Sequence, residues 1–490
     1  MYSYHIFYFP FKWENPKSKL NLFCDQTDLS AIEIDKYSNW VRNPGCLNEQ
    51  EADELYNEKN YYYQFVHAVL YDTSNEETLL HHYERKELQE KGRKVYYKIA
   101  TKGKEYVLDV DGININLYST GVGTLTFYLQ NNRDNQKEPD DILKINQFGR
   151  RLFPPFIGDL ERRSLIANYI EISGLNGDGS RYKEDFSKYV NKKDKTDKTK
   201  KSDWEVALFI GNLIHDLAPN LEVTPVIDDR MFVACWYVND DLSKIVERDF
   251  VDFEKAENYW WYRYIFVDEG WPTCQNDNLR NNIIEKSSYL RWQKLGSVFG
   301  VSRYSFVSLT NSNDFNTNVI SMHIRTLYSR MVELVLVQRA STLRFSKEVT
   351  NVSTLPKEKT NMFIKRISSL YEGYIRFVNQ VHFREVTTQD QGIELYQLIS
   401  KTLNIEEYVE DLDKEIGELH QYVSMLEDKT RNKNAQTLNY IAAVFLPMTA
   451  FFGLLNANAG RWCIGILETS LIGISLSIVM LGILLIKKNK

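Results

Sequence analysis

The stretch KEYVLDVDGININLYSTGVGTLTFYLQ, Lys104 to Gln130, is rich in Tyr, Val and Ile and carries turn signals at Asp111-Gly112 and around Gly121 and Gly123. β-branched and aromatic side chains suit a pleated surface and glycine supplies the angles of a tight turn, so this stretch predicts a hairpin or meander. Gly121-Val122-Gly123 is a weak match to a phosphate-cradling loop, because no helix with a third glycine follows it. On the N-terminal side, YYYQFVHAVLY and RKVYYKIAT have the same strand-like composition. The opening MYSYHIFYFPFKWENP alternates aromatic and polar residues, which suits a strand. It lacks the positive-then-apolar order of a signal peptide, so the N-terminus is expected in the cytoplasm.

At 490 residues the chain exceeds one compact core, so two or more domains are expected. Its 60 basic and 66 acidic residues give a net charge of -6, which argues against a dedicated nucleic-acid binder. Any anion site must therefore be local. The five cysteines (Cys24, Cys46, Cys235, Cys274, Cys463) are widely spaced with no CxxC pair, which fits a reducing compartment better than a disulfide or zinc framework.

After the hairpin, DDILKINQFGRRLFPPFI predicts a short helix, then a Pro-Pro break, with Arg150 and Arg151 adjacent just beyond Gly149. Residues 173–203 are polar and peak in NKKDKTDKTKKSD, the composition of a mobile charged loop. TPVIDDRMFVACWYV and RYSFVSLT predict further strands, and the aromatics of ENYWWYRYIFVDEGW suit core and edge packing. Residues 1–320 are thus read as an α+β domain.

From residue 321 to 436 the texture is helical, as in SMHIRTLYSRMVELVLVQRASTLRFSKEV, and is read as a stalk. No proline falls between Pro356 and Pro447, which allows one helix from roughly Gln391 onward. A rod of that length calls for neighbours, so packing between subunits is expected. Its acidic face is either solvated or attractive to cations.

Two apolar runs end the sequence, at 437–455 and 463–486, joined by residues 456–462 and followed by a basic tail at 487–490. Each is long enough to cross a hydrocarbon layer of about 30 Å, the alternative being two buried core helices. Basic residues at both outer ends would place both termini in the cytoplasm of a bacterial inner membrane. In the first run Leu438, Ala442, Leu446, Thr449 and Gly453 share one face, which suits either a pore lining or ordinary helix packing.

The α+β domain, long helices, TLNYIAAVFLPMTAFFG, short loop, second run and lysine tail resemble the CorA-type divalent-metal transporters. The resemblance covers the last hundred or so residues best. It implies an α+β cytosolic domain, a helical stalk and two C-terminal transmembrane helices, assembled as a homo-oligomer, a pentamer by preference or a tetramer, in a lipid bilayer. By position, Asn432 would be the polar pore entry, Leu438 and Leu446 the gate, and Thr449 and Gly453 the wall. Asn456-Ala457-Asn458 stands where the family has Gly-Met-Asn, so Asn458 alone is kept and magnesium selectivity is not implied.

CorA-like proteins without that signature are associated with type III CRISPR systems, and INQFGRRLFPPF resembles their segment. The resemblance implies an antiviral membrane effector, an ion channel gated by a nucleotide second messenger, the conjugate of S-adenosylmethionine and AMP (SAM-AMP). Arg150 and Arg151 would hold its phosphate, with Phe148, Phe153 and Phe156 near enough to stack on a purine. An interdomain salt-bridge element is the competing use of the arginine pair. The other functional class is a magnesium or divalent-cation transporter, with Mg2+ or another divalent ion as cargo. No obligatory cofactor is expected, and an enzyme is not expected, because no nucleophile–base pattern or metal-ligand cluster stands out.

Overall fold

The computed structural model describes residues 1–15, 22–43, 58–72, 78–152, 166–176, 179–186, 206–228, 230–354, 360–457 and 475. The chain divides into two compact units, Met1–Ile416 and Gly417–Lys490.

A mixed sheet organises the first unit. Its strands are β1 (Ser3–Glu14), β2 (Trp40–Arg42), β3 (Leu80–Arg85), β4 (Tyr96–Ala100), β5 (Glu105–Tyr118), β6 (Val122–Asn131), β7 (Tyr169–Ser173), β8 (Lys183–Asp185), β9 (Glu222–Pro225), β10 (Phe232–Val238), β11 (Ser288–Tyr289), β12 (Val298–Val301) and β13 (Ser305–Thr310). The order is β11-β12-β13-β10-β1-β6-β5-β4-β7-β8, with β2 on β3, β3 on β5 and β9 on β1. β10 and β13 run parallel, while β1 is antiparallel to β6, β9 and β10.

β5 and β6 form the hairpin that Lys104–Gln130 predicts, in register from Asp109↔Gln130 to Leu117↔Gly123. Gly121 N–H donates to Tyr118 O (2.8 Å) with φ +72°, a conformation that favours glycine, and a side chain there would collide with the Arg344 guanidinium. Gly-Val-Gly is therefore turn chemistry. Asp111-Gly112 does not turn the chain: the register shifts between Val110 and Gly112, and the strand runs on through this bulge. Beyond it β5 changes neighbour, from β4 at residues 105–109 to β3 at 114–118.

Both faces of β1 are covered. Phe7, Phe9, Phe11 and Trp13 join Ile113, Leu125 and Phe127 in one hydrophobic core with helices α1 (Pro139–Gly149), α2 (Leu208–Leu217), α3 (Asp240–Arg248) and α4 (Phe250–Phe266). Burying a side chain of that size contributes about 1.5–3 kcal/mol. Toward the other face, Tyr8 Oη donates to Ser329 O (3.1 Å) and Asn116 Nδ2 to Glu333 Oε1 (2.6 Å), both on helix α6 (Ser329–Ser353), which follows α5 (Asp277–Ser287). Pro10 sits where β1 changes partner on one side, between Tyr8↔Phe232 and Phe11↔Pro225, so its missing N–H interrupts no pair there.

YYYQFVHAVLY is not a strand. It forms short helical turns and the helix His67–Leu70, because Val66, Val69 and Leu70 bury at helical rather than alternate spacing.

Helices α7 (Thr360–Gln380), α8 (Asp390–Thr402) and α9 (Ile405–Ala457) follow α6. The expected uninterrupted helix from Gln391 breaks at Asn404, whose φ of 55° is left-handed and ends α8 before α9 begins. Asparagine tolerates that conformation better than most residues. Ile405, Val409, Leu412 and Ile416 are buried at steps of three and four, and Asp413 accepts from Tyr374 Oη of α7 (3.1 Å).

The expectation of two C-terminal transmembrane helices is corrected. Among the described residues no helix is long and apolar enough to cross a membrane. The described part of the first run, on α9, interleaves Asn439, Tyr440 and Thr449 with its apolar side chains, and of the second run only Ser475 is described. The readings that depended on the spans, a membrane protein, an ion channel and a multi-pass inner-membrane location, fall with them. Residues 458–462 and 487–490 and most of the charged loop, 187–203, lie outside the described residues.

Candidate anion-binding site

α1 opens with Pro139 in its first turn and Asp140 and Asp141 beside it, residues that suit a helix N-terminus. It ends at Gly149, where an added Cβ would lie 2.8 Å from both Ile99 and Phe7, so only glycine lets the chain pass this close to the sheet. Tyr97 Oη donates to Gly149 O (2.9 Å) and fixes that exit. Arg150 follows at once.

Two other segments meet it. Arg150 O accepts from Met231 N (2.9 Å), and Arg151 and Arg230 form an antiparallel bridge, which holds residues 150–151 against 230–231 just ahead of β10. The β12–β13 turn supplies the third, with Ser302 Oγ donating to Ile265 O (2.7 Å) and accepting from Tyr304 N (3.1 Å). Val233 N donates to Tyr304 O (3.0 Å) and ties this turn to β10.

The result is an aromatic ring with two guanidiniums close to it. Arg150 Cζ lies 5.0 Å and Arg230 Cζ 5.3 Å from the Tyr304 ring centroid. Arg230 donates through Nε to both oxygens of Asp228 (3.1 and 3.0 Å). With the Gln147 amide oxygen turned toward it, Arg151 donates from Nε (3.1 Å) and Nη2 (2.9 Å). Arg150 is only 3% exposed, and its Nε has no hydrogen-bond acceptor among the described residues.

Burial, then the charges of Arg230 and Arg151, push the Arg150 guanidinium down to about 9, partly offset by Asp228 and Tyr304. It still carries its charge at neutral pH, at a cost. Asp268, on the loop after α4, is raised by burial and held down by its Thr273 hydrogen bonds and by Arg150 and Arg151. The residue before it, Val267, adopts φ 56°, a strained conformation for a β-branched side chain. Arg339 lies on α6. Burial lowers its pKa, Tyr408 opposes that shift, and Arg303 adds to it, while its Nε and Nη1 are buried without partners among the described residues. Arg150, Arg151 and Arg230 thus gather at one place, where Arg230 is paired with Asp228. A desolvated guanidinium such as that of Arg150 suits phosphoryl oxygens as acceptors.

The structure brings together Arg150 and Arg151 of the expected site but places Phe148 in the hydrophobic core, 6% exposed. Phe153 and Phe156 lie outside the described residues. Arg230, Arg303, Tyr304 and Arg339 were not legible in the sequence. The only local hint is a basic residue just ahead of a strand in IDDRMF and SRYSF.

The expected pore residues Asn432, Leu438, Ala442, Leu446, Thr449 and Gly453 are exposed along α9, with Leu438 at 66% and Leu446 at 67%. Thr449 Oγ1 turns back to donate to Phe445 O and Leu446 O of its own helix (3.0 Å each). Asn456 falls in the last turn of α9, and Asn458 lies outside the described residues. Among the described residues no group of His, Cys, Asp and Glu is placed to hold a metal ion. No protein-family model matches the chain. No curated protein matches it either.

Proposed function

We propose that this protein is a ligand sensor that binds a phosphate-bearing nucleotide at the arginine cluster around Tyr304. The observation that carries the proposal is Arg150: a buried guanidinium, close to the Tyr304 ring beside two more arginines, with no acceptor for its Nε among the described residues. Burying a charge without an acceptor is unfavourable, and a phosphate that accepts from it recovers that cost on binding. Tyr304, 36% exposed, offers a ring edge or face to a base.

SAM-AMP, the second messenger implied by the resemblance to CRISPR-associated CorA-like proteins, is the first nucleotide to test, and an antiviral signalling role is the accompanying proposal. The protein acts by binding rather than by catalysis in this reading. A homo-oligomer is also proposed. It is supported by the exposed apolar residues Met425, Leu438, Ile441, Phe445 and Leu446 on α9.

Calorimetric titration with SAM-AMP and with AMP tests the site. Charge-assisted hydrogen bonds contribute about 1.5–3 kcal/mol each, so Arg150→Ala with Arg151→Ala is expected to weaken binding by about a hundredfold or more. Undiminished affinity in the double variant would overturn the assignment.

A further inference from the structure

We propose that a cavity of about 620 Å³, between the loop after α7 and the corner where α8 meets α9, binds a free α-amino acid with an aromatic side chain. It shares no residue with the arginine cluster and stands whether or not phosphate binds there.

Buried Tyr396 of α8 fixes the walls: its Oη donates to Phe383 O (2.7 Å) and accepts from Gln338 Nε2 of α6 (3.0 Å). The loop is thereby held to two helices. One turn beyond Tyr396, Ser400 lines the cavity with a hydroxyl that is buried close to Tyr396 yet makes no hydrogen bond among the described residues. A buried polar group of this kind calls for a partner, and the volume falls within the roughly 300–1,000 Å³ of small-molecule sites. Asn404, left-handed at φ 55°, turns the chain so that the opening turn of α9 also lines the cavity. N–H groups in a first helical turn have no acceptor within the helix and favour an anion.

Charge decides the ligand class. Arg384 lies 3.7 Å from Glu406, and Glu407 accepts from Asn404 Nδ2 (3.1 Å), so both carboxylates of that turn are engaged. Burial lowers the His382 imidazole, which is therefore neutral at neutral pH. Lys401 and Glu385 remain, exposed on the same cavity without an ion pair among the described residues. A carboxylate suits Lys401 and the first turn of α9, and an ammonium suits Glu385. An α-amino acid carries both on one carbon. Phe383 on the cavity wall has its ring centroid 5.6 Å from that of Phe65, which is 62% exposed and stacks on Tyr63 at 5.2 Å. This row of three rings favours an aromatic side chain on the ligand.

Calorimetric titration of the full chain with L-phenylalanine, N-acetylphenylalanine, phenylalaninamide and glycine tests the site. Phenylalanine is expected to bind at least about tenfold more tightly than the other three, since each of them lacks one charged group or the ring. Lys401→Gln is expected to weaken phenylalanine about tenfold and to leave the amide unchanged. Glu385→Gln is expected to weaken phenylalanine similarly and to leave the N-acetyl derivative unchanged. Both side chains are exposed, so both variants keep the fold, which thermal unfolding checks. No binding of phenylalanine, equal affinity for all four ligands, or phenylalanine affinity unchanged in both variants overturns the proposal. Phenylalanine binding that is lost in Arg150→Ala with Arg151→Ala but kept in the Lys401 and Glu385 variants would place the ligand at the arginine cluster and overturn it as well.

Discussion

His5 shows at the residue scale how burial sets chemistry in this fold. It is fully buried on β1, with Nδ1 2.7 Å from Asn146 Oδ1 and Nε2 2.8 Å from Ser3 Oγ. Burial pushes its pKa down from 6.5 to about 4 against the pull of the Asn146 hydrogen bond. The folded state therefore holds His5 neutral while the unfolded chain takes up a proton below pH 6.5, so stability is full above 6.5 and is lost as pH falls toward 4. Between pH 7 and pH 5 this one group is expected to remove about 2 kcal/mol, measurable by urea unfolding at the two pH values. His5→Gln should be less stable at pH 7 yet lose about 2 kcal/mol less on acidification. An equal loss in the variant would show that other groups carry the pH dependence. Cys235 lies 3.3 Å from the same imidazole, but burial raises its thiol to about 12, so this Cys–His–Asn contact is core packing and not a nucleophile.

Among the elements, the β5–β6 hairpin depends on two glycines for different reasons. Gly121 turns the chain, whereas Gly123 lets β6 approach β1, where an added Cβ would sit 2.5 Å from a Phe11 ring carbon. Gly123→Ala must displace Phe11 inside a close-packed core, so a loss of about 1–3 kcal/mol in urea unfolding is expected. A neutral result would mean that β1 yields more readily than its burial on both faces implies. α6 joins the sheet through Glu333, a buried carboxylate that accepts from Asn116 Nδ2 (2.6 Å) and from Thr124 Oγ1.

For the molecule as a whole, every residue assigned to the anion site lies within Met1–Ile416, the larger compact unit. That unit has its own sheet and core, which is what independent folding requires. Residues 1–416 expressed alone are expected to unfold in one cooperative transition and to bind the phosphate probes within about threefold of the full chain. Loss of binding in a folded 1–416 fragment would place part of the receptor beyond Ile416. Light scattering on the full chain measures the proposed oligomer directly.

The hairpin and the helical second half were legible from local pattern, because turn chemistry, strand composition and helical spacing are short-range properties of neighbouring residues. Local pattern misled where the same residues serve two ends. Asp111-Gly112 makes a bulge as readily as a turn, and the aromatic run at 61–71 buries at helical spacing. Arg150 and Arg151 stood out as a pair in the sequence. That Arg150 would be buried, that Phe148 would go to the core, and that Arg230 and Tyr304 would meet the pair depended on tertiary structure. Those segments are brought together by the bridge between Arg151 and Arg230 and by the register of β10 against β13, and neither is encoded within any short stretch of chain.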